Sequence, residues 1–200
     1  MVRWRARAGR IVERWIRGMI NQGKWAFLTA TLFLTSLAIN EWVFTNLEFV
    51  RGINWIYLPA GVRLVCTLLF GAAGAVGLLA ASWAACFFYF FPDDFVRALM
   101  GGIIAAVAPY LAYRWARAAL GLRRDLGNLT AGRLVICAVA YALVNAVAHH
   151  LWFYFHGARA GLLDSLAVMF IGDLTGSLIM LYALKALLAV LRRSRHHAWA

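Results

Sequence analysis

The stretch MFIGDLTGSLIMLY, residues 169–182, contains a single charged residue, Asp173, within an otherwise apolar or small-residue run. Gly172 precedes the acid directly, and Gly176 follows three residues after it. Glycines four residues apart lie on one face of a helix and let a neighbouring helix approach closely. Ser177 shares the face of Asp173 and can donate a hydrogen bond. The stretch therefore predicts a polar site beside a tight helix contact.

The rest of the chain is as apolar as this stretch. Hydrophobic residues make up 64% of the 200 residues and charged residues 14%, whereas an ordinary globular chain is about 45–50% apolar. Several runs reach the ~20 residues that cross a hydrocarbon core about 30 Å thick. The composition excludes an ordinary soluble domain and predicts an all-α, polytopic membrane protein.

Six transmembrane helices are predicted, forming one integral membrane domain over residues 24–191. A basic amphipathic segment, residues 1–23, precedes this domain, and a short basic tail, residues 192–200, follows it. In the N-terminal segment Trp4, Ile11 and Trp15 can share a helical face, which predicts a helix lying on an anionic inner leaflet. A disordered basic tail is the alternative. The six predicted spans are residues 25–46, 54–70, 72–91, 95–116, 132–155 and 162–190.

Basic residues concentrate at one end of the predicted spans. If the spans number six, the N-terminal segment, the loop after the fourth span and the C-terminal tail lie on one side. The opposite side receives Glu48 with Arg51, Asp93 with Asp94, and Arg159 with Asp164. The positive-inside rule then predicts cytoplasmic termini. The basic residues are Arg3, Arg5, Arg7, Arg10, Arg14, Arg17, Lys24, Arg114, Arg117, Arg123, Arg124, Arg133, Arg192, Arg193 and Arg195.

The net charge of +12 raises the question of nucleic acid, but no soluble segment is long enough to form a nucleic-acid-binding module. Anionic lipid is the partner that this charge distribution favours. The three cysteines, Cys66, Cys86 and Cys137, lie in apolar runs without CxxC spacing, which predicts small buried hydrophobes rather than a metal site.

The depth of each intramembrane polar residue below the outer surface follows from its position in the span and a helical rise of about 1.5 Å per residue. Arg63 lies ~14–15 Å and Asp173 ~16 Å from the outer surface, and Asn145 also falls near the middle. Opposite charges at equal depth predict that Arg63 meets Asp173, with Glu41 as the competing carboxylate. The pair either holds a ligand or only holds the helices together, and the sequence leaves both alternatives open.

A second polar layer is predicted nearer the outer surface. It contains Asn40 and Glu41 on the first span and His149 and His150 on the fifth. The histidines either contact a ligand or pack with the aromatic residues that follow them. Neighbours on a helix point about 100° apart, so these histidines cannot clamp one haem iron, and the sequence specifies no cofactor.

Small residues predict where helices pack. Gly71 and Gly74, with Gly77, imply a tight connection after the second span. Asp93 and Asp94 follow Pro92, a position typical of a helix N-cap. The helix-packing residues predicted in this way are Gly61, Gly71, Gly74, Gly172 and Gly176.

Motifs of catalysis are absent from the sequence. It contains no nucleophile elbow, no HExxH and no clustered metal-ligand spacing. We therefore expect a protein that is not an enzyme.

Three stretches resemble the membrane-associated sensor domains of the first type, the MASE group. These are NWIYLPAGVRLVCTLLFG at residues 54–71, LRRDLGNLTAGRLV at 122–135 and IGDLTGSLIM at 171–180. The matched positions are Pro59, Gly61, Gly172, Asp173 and Gly176. Arg63 departs from the pattern, because an apolar residue is expected there.

The resemblance implies an integral sensory module of the bacterial cytoplasmic membrane, with a generally undefined ligand. Such modules usually precede histidine kinase or diguanylate cyclase domains. This chain is shorter than the typical domain and is expected to lack an output domain, so a partner protein is expected to carry the signal.

Two other functions fit the same features. Six spans in about 200 residues resemble the substrate-binding S-components of energy-coupling-factor transporters. Nine Trp and thirteen Phe would also suit a structural or assembly subunit of a membrane complex. Uptake with a co-purifying ATPase pair would indicate the first, and stable association with a larger complex the second.

Overall fold

The computed structural model describes the backbone of residues 2–123, 126–157 and 161–197, and the side chains of residues 18–123, 126–157 and 161–186. The predicted all-α class is confirmed: the described residues form six α-helices and one two-stranded antiparallel hairpin. The elements are α1 Val2–Val43, β1 Glu48–Val50, β2 Ile53–Asn54, α2 Leu58–Phe70, α3 Ala72–Ala85, α4 Phe95–Ala119, α5 Ala131–Phe155 and α6 Leu162–His197.

Five segments are long and apolar enough to cross a membrane. Their outward surface suits lipid, because large apolar side chains such as Phe27, Trp42 and Phe88 are at least 76% exposed. The third helix reaches membrane length through a π-helical turn, Cys86–Phe90, that continues α3. The five spans are Gly18–Val43, Ala72–Phe90, Phe95–Ala119, Ala131–Phe155 and Leu162–Ala186.

The predicted second span differs from the other five. Residues 48–54 form the hairpin, so α2 begins only at Leu58 and has 13 residues. Such a helix is about 20 Å long and falls short of a hydrocarbon core of ~30 Å. Ten of its 13 residues are buried, and it contacts all five other helices. The architecture is thus five long helices around a short central one.

Specific residues set the ends of α2. Pro59 lies in the first turn, where a missing N–H costs no helical hydrogen bond. The Leu58 N–H donates to Asn40 Oδ1 of α1 at 2.8 Å, which caps the helix from outside its own chain segment. Gly71 ends it with a φ of 55°, a region that favours glycine. A Cβ at Gly74 would lie 2.6 Å from the Cys66 carbonyl oxygen, so the connection into α3 is tight.

Two minor predictions are confirmed. All three cysteines are buried and free of disulfides. Asp94 caps α4, because its Oδ1 accepts from the Arg97 N–H at 2.9 Å.

The N-terminal segment is helical, since α1 is continuous from Val2. The side chains up to Arg17 lie outside the described residues, so placement on the membrane surface remains a prediction. Several charges used to predict the topology also lie outside them, namely Arg3, Arg5, Arg7, Arg10, Arg14, Arg17, Arg124, Arg159, Arg192, Arg193 and Arg195.

Candidate functional site

Helix α6 meets the start of α2 along a line of glycines. A Cβ at Gly172 would overlap the Asn54 carbonyl oxygen, and one at Gly176 would overlap the Tyr57 carbonyl oxygen. We call the contact formed by Gly61, Gly172 and Gly176 the glycine seam. At Gly61 the overlap would be with the Met180 side chain of α6. Backbone therefore lies directly against backbone along this seam.

Hydrogen bonds reinforce the seam. The Tyr57 N–H donates to the Gly172 carbonyl at 3.1 Å. The Thr175 hydroxyl lies 3.2 Å from the Trp55 carbonyl oxygen and 2.7 Å from that of Ile171. Sequence reasoning did not single out Thr175, although its place between Asp173 and Gly176 was visible. The seam thus joins α6 to the hairpin and α2 through polar backbone groups.

Asp173 lies next to the seam and lines a partly open cavity of about 70 Å³. The carboxylate is 2% exposed, and its Oδ2 accepts from Asn145 Nδ2 of α5 at 2.6 Å. The cavity lies between the hairpin and helices α2 to α6, and its buried polar side chains are Asn54, Arg63, Asn145, His149 and Asp173. The predicted mid-membrane layer of Arg63, Asn145 and Asp173 therefore surrounds one space.

The predicted ion pair between Arg63 and Asp173 is wrong as a direct contact, because no ion pair joins these two described residues. The Arg63 guanidinium carbon lies 4.9 Å from the Phe33 ring centroid and 5.3 Å from that of Tyr57. Aromatic faces attract a guanidinium electrostatically. Arg63 Nη2 also donates to the Tyr57 hydroxyl at a long 3.5 Å. The aromatic faces hold the cation while Asn145 holds the acid.

The competing carboxylate, Glu41, does not contact Arg63 either. It is only partly buried, and its Oε2 accepts from the Tyr89 hydroxyl at 2.7 Å. The adjacent Asn40 points into the protein and caps α2. In the predicted outer layer, Glu41 thus makes a contact at the surface, whereas Asn40 makes a buried contact that caps α2.

His149 and His150 are both buried, but they face different surroundings. His149 lines the cavity, with Nδ1 3.0 Å from the Asn145 carbonyl oxygen. His150 Nε2 lies 2.9 Å from the Ser165 hydroxyl of α6. Both rings pack near Phe153, with centroids 6.1 and 5.2 Å away. Both histidines therefore pack against an aromatic ring, and His149 also lines the cavity.

Ser177 does not hydrogen bond to Asp173 as expected. It is fully buried, and its Oγ has no hydrogen-bond partner. The carboxylate of Asp173 accepts instead from Asn145 of α5.

Four buried polar atoms of cavity-lining residues lack partners: Asn54 Nδ2, Arg63 Nε, Arg97 Nε and Asn145 Oδ1. An unsatisfied buried polar group costs about 1–3 kcal/mol, and native interiors pair most such groups with protein or water. Their convergence on one space is the arrangement expected of a site that receives a polar molecule.

Two further arginines, which sequence reasoning did not propose as site residues, line the same cavity. Arg51 donates to the Tyr89 carbonyl at 3.0 Å and lies 4.4 Å from the Tyr89 ring centroid. Arg97 lies 4.3 Å from the Phe91 ring centroid. With Arg63 they give the lining three cations against the single carboxylate of Asp173. Their neighbouring aromatic run, FFYFF at 87–91, was the available signal.

Metal ligation finds no support in the described part of the chain, where no group of three His, Cys, Asp or Glu side chains comes together. The cavity offers guanidinium, amide, imidazole and carboxylate groups, which bind organic ligands through hydrogen bonds and charge.

Comparison with known proteins gives one match. No curated protein and no solved structure matches the chain. The model of the MASE1 family, a membrane-associated sensor domain, matches residues 49–200. That range includes the hairpin except Glu48, α2 to α6, the seam and the whole cavity lining. It also includes the three stretches at 54–71, 122–135 and 171–180. The chain belongs to the MASE1 family of membrane-associated sensor domains.

Proposed function

We propose that this protein is a sensor module of the bacterial cytoplasmic membrane that binds a small ligand in the cavity beside Asp173 and acts on a separate partner protein. The observation that carries the proposal is the convergence of Asn54, Arg63 and Asn145 on one cavity, each with an unpartnered polar atom. Charged groups within membrane spans are costly, and they characteristically mark functional pathways or sites.

The cavity has room for a small molecule. Its volume is about 70 Å³, and a water molecule needs ~10–15 Å³ on this measure. Roughly five water molecules, or a ligand of similar size, therefore fit. An apolar pocket would not need the buried guanidinium and carboxylate that line this one.

Helix α6 provides the route to the partner. It carries Asp173 at the cavity and continues to His197, beyond the apolar span that ends at Ala186. A ligand that contacts Asp173 biases the position of α6 only if it binds one position more tightly than another. In the predicted six-span topology, in which α2 counts as the second crossing, this helix leaves the membrane on the cytoplasmic side, together with the basic loop between α4 and α5.

A matched pair of substitutions on α4 tests ligand binding. Ala105 is 3% exposed and lines the cavity, whereas Val107 is 44% exposed on the outer face. Purified protein in lipid nanodiscs is heated with each member of a collection of small polar metabolites. We expect one chemical class to raise the melting temperature of the wild type and of Val107→Met, but not of Ala105→Met, because methionine fills the cavity.

A smaller substitution controls for the possibility that Ala105→Met fails to fold. A Cβ at Gly101 would lie 3.6 Å from Cys86 Sγ, an ordinary contact, so Gly101→Ala narrows the cavity without overlap. It should weaken stabilisation by the same compounds. Equal stabilisation of Ala105→Met and the wild type, or no stabilising compound at all, would contradict binding in this cavity.

Hydrogen exchange tests the route through α6. A stabilising compound should change amide protection beyond Ala186 as well as around Asp173. Protection confined to the cavity would remove α6 as the connection to a partner.

A further inference from the structure

The two buried opposite charges of the cavity are held apart. Arg63 is 7% and Asp173 2% exposed, and both line the same space. In apolar surroundings such charges attract strongly, yet no ion pair joins them. Each half of the cavity is instead provided with hydrogen-bonding groups of its own, which have different polarity.

The Arg63 half presents donors. Arg63 Nε has no acceptor, and Arg63 Nη2 makes a long hydrogen bond of 3.5 Å to the Tyr57 hydroxyl. Asn54 is only 3% exposed, and its Nδ2 is likewise a donor without an acceptor. Both donors line the cavity, and a carboxylate can accept from a guanidinium and from an amide N–H at once.

The Asp173 half presents acceptors. Asn145 uses its Nδ2 to donate to Asp173 Oδ2, which fixes the orientation of the amide, and leaves Oδ1 without a donor. The second carboxylate oxygen of Asp173 receives no hydrogen bond from a described side chain. An ammonium group has three donors and no acceptor, so it matches these oxygens.

We propose that the ligand is a small α-amino acid, whose carboxylate binds Arg63 and Asn54 and whose ammonium group binds Asp173 and Asn145. This assignment rests on the proposed ligand-binding function of the cavity. A simple anion would place its charge near Asp173, and a simple cation would leave Arg63 unpaired. A zwitterion compensates both charges at once and satisfies three of the four unpartnered atoms, namely Asn54 Nδ2, Arg63 Nε and Asn145 Oδ1.

Size and charge at the entrance agree with this class. The cavity of about 70 Å³ accommodates a ligand of about five or six non-hydrogen atoms, which is the size of glycine or alanine. Arg97 adds a positive charge to the lining, and Arg51 adds another that is partly compensated by Glu48, with Nη1 and Oε2 3.9 Å apart. A positive cleft raises the local concentration of carboxylate-bearing molecules.

The test compares L-alanine with its two halves, propionate and ethylamine, by titration calorimetry on the full chain in nanodiscs. Alanine should bind at least about tenfold more tightly than either half, because each half lacks one set of charge-assisted hydrogen bonds. D-alanine should bind more weakly than L-alanine, since it cannot place all three substituents in the same positions.

Single substitutions should separate the two halves. Asp173→Asn should weaken alanine binding by about 10- to 100-fold and leave propionate binding unchanged or stronger. Arg63→Gln should weaken alanine and propionate but not ethylamine. If Arg63→Gln does not fold, Arg63→Lys retains the charge and should bind alanine with reduced affinity. Val107→Met, on the lipid face, should match the wild type throughout.

The outcomes distinguish this proposal from the one on which it rests. Propionate binding as tightly as alanine, or Asp173→Asn binding alanine normally, overturns the amino-acid assignment. If a different class of compound stabilises the wild type but not Ala105→Met, the sensor function stands and the ligand class falls. If no compound does so, both fall.

Discussion

The glycine seam and the cavity occupy neighbouring parts of the same stretch of α6, yet they differ in packing and in the pairing of their polar groups. At Gly172 and Gly176 there is no space for a Cβ, and the adjacent carbonyl oxygen of Gly172 is paired. At Asp173 the helix lines a space of about 70 Å³, around which several polar atoms have no partner.

The contrast explains why Arg63 and Asp173 lie in one cavity without touching. At Gly172 and Gly176, α6 lies directly against the backbone of the segment that leads into α2, and at Gly61 of α2 the close contact is with the Met180 side chain. Asp173 then lies within reach of Asn145 on α5, and Arg63 lies against the rings of Phe33 and Tyr57. A close backbone contact and a polar space thus lie directly beside each other on α6.

The largest effect is expected at the seam. Gly176→Ala would place a Cβ on the Tyr57 carbonyl oxygen, and because the obstacle is backbone, the helices must move apart. Overpacking of this kind costs about 3 kcal/mol. Unfolding in mixed detergent micelles, followed by tryptophan fluorescence, measures the loss.

Gly132→Ala is the matched control for this change. A Cβ at Gly132, in the first turn of α5, would meet nothing within 4 Å, so alanine should stabilise the helix by about 0.5–1 kcal/mol. If the two alanine variants unfold alike, the seam is not the close contact described.

The next effect is expected on the cavity side. Asn145→Ala removes the 2.6 Å hydrogen bond to Asp173 and leaves a buried carboxylate without its amide partner. Hydrogen bonds to charged groups contribute about 1.5–3 kcal/mol. Asp173→Asn removes the charge, so the double variant should lose less than the sum of the two single losses.

A double-mutant cycle measures that coupling, which should reach about 1 kcal/mol for groups in direct contact. Gly132→Ala combined with Asp173→Asn provides a distant pair for comparison and should be additive. Additivity of Asn145→Ala with Asp173→Asn would show that the amide does not support the acid.

A smaller effect is expected where the seam and the cavity meet, at the start of α2. Asn40→Ala removes the acceptor 2.8 Å from the Leu58 N–H, and loss of a helix cap typically costs ~1–2 kcal/mol. The exposed Asn46→Ala, in the loop after α1, should leave stability unchanged. Equal melting temperatures for both variants would mean that Asn40 does not hold α2 in place.

Hydropathy predicted five of the membrane-length helices, but it also predicted a full span where the structure has the short helix α2. An apolar run of 17 residues has the same composition whether lipid or protein surrounds it, and α2 is surrounded by the other five helices. The hairpin was missed because its strands have three and two residues, too few to show an alternating pattern. Glycine spacing, by contrast, predicted the close approach at Gly172 and Gly176, because that contact depends on the absence of side chains.

The members of the mid-membrane layer were predictable, whereas their contacts were not. Counting residues gives the depth of Arg63, Asn145 and Asp173 but not the direction of each side chain about its helix axis. Equal depth therefore suggested an ion pair that the structure does not contain. Arg97 was overlooked because its place near the end of α4 resembles an ordinary interfacial arginine, and only the fold brings it to the cavity.

The smallest effect is expected at the cavity entrance, away from the seam. Asp94→Ala removes the carboxylate that accepts from the Arg97 N–H at 2.9 Å, at a cost of about 1 kcal/mol. The first turn of α4 then frays and Arg97 is held less firmly over Phe91, so alanine affinity should fall severalfold by calorimetry. Asp93→Ala removes the same charge from the adjacent exposed position without touching the cap. Equal losses in the two variants would show that the acidic pair acts through charge alone and that the position of Arg97 does not matter for binding.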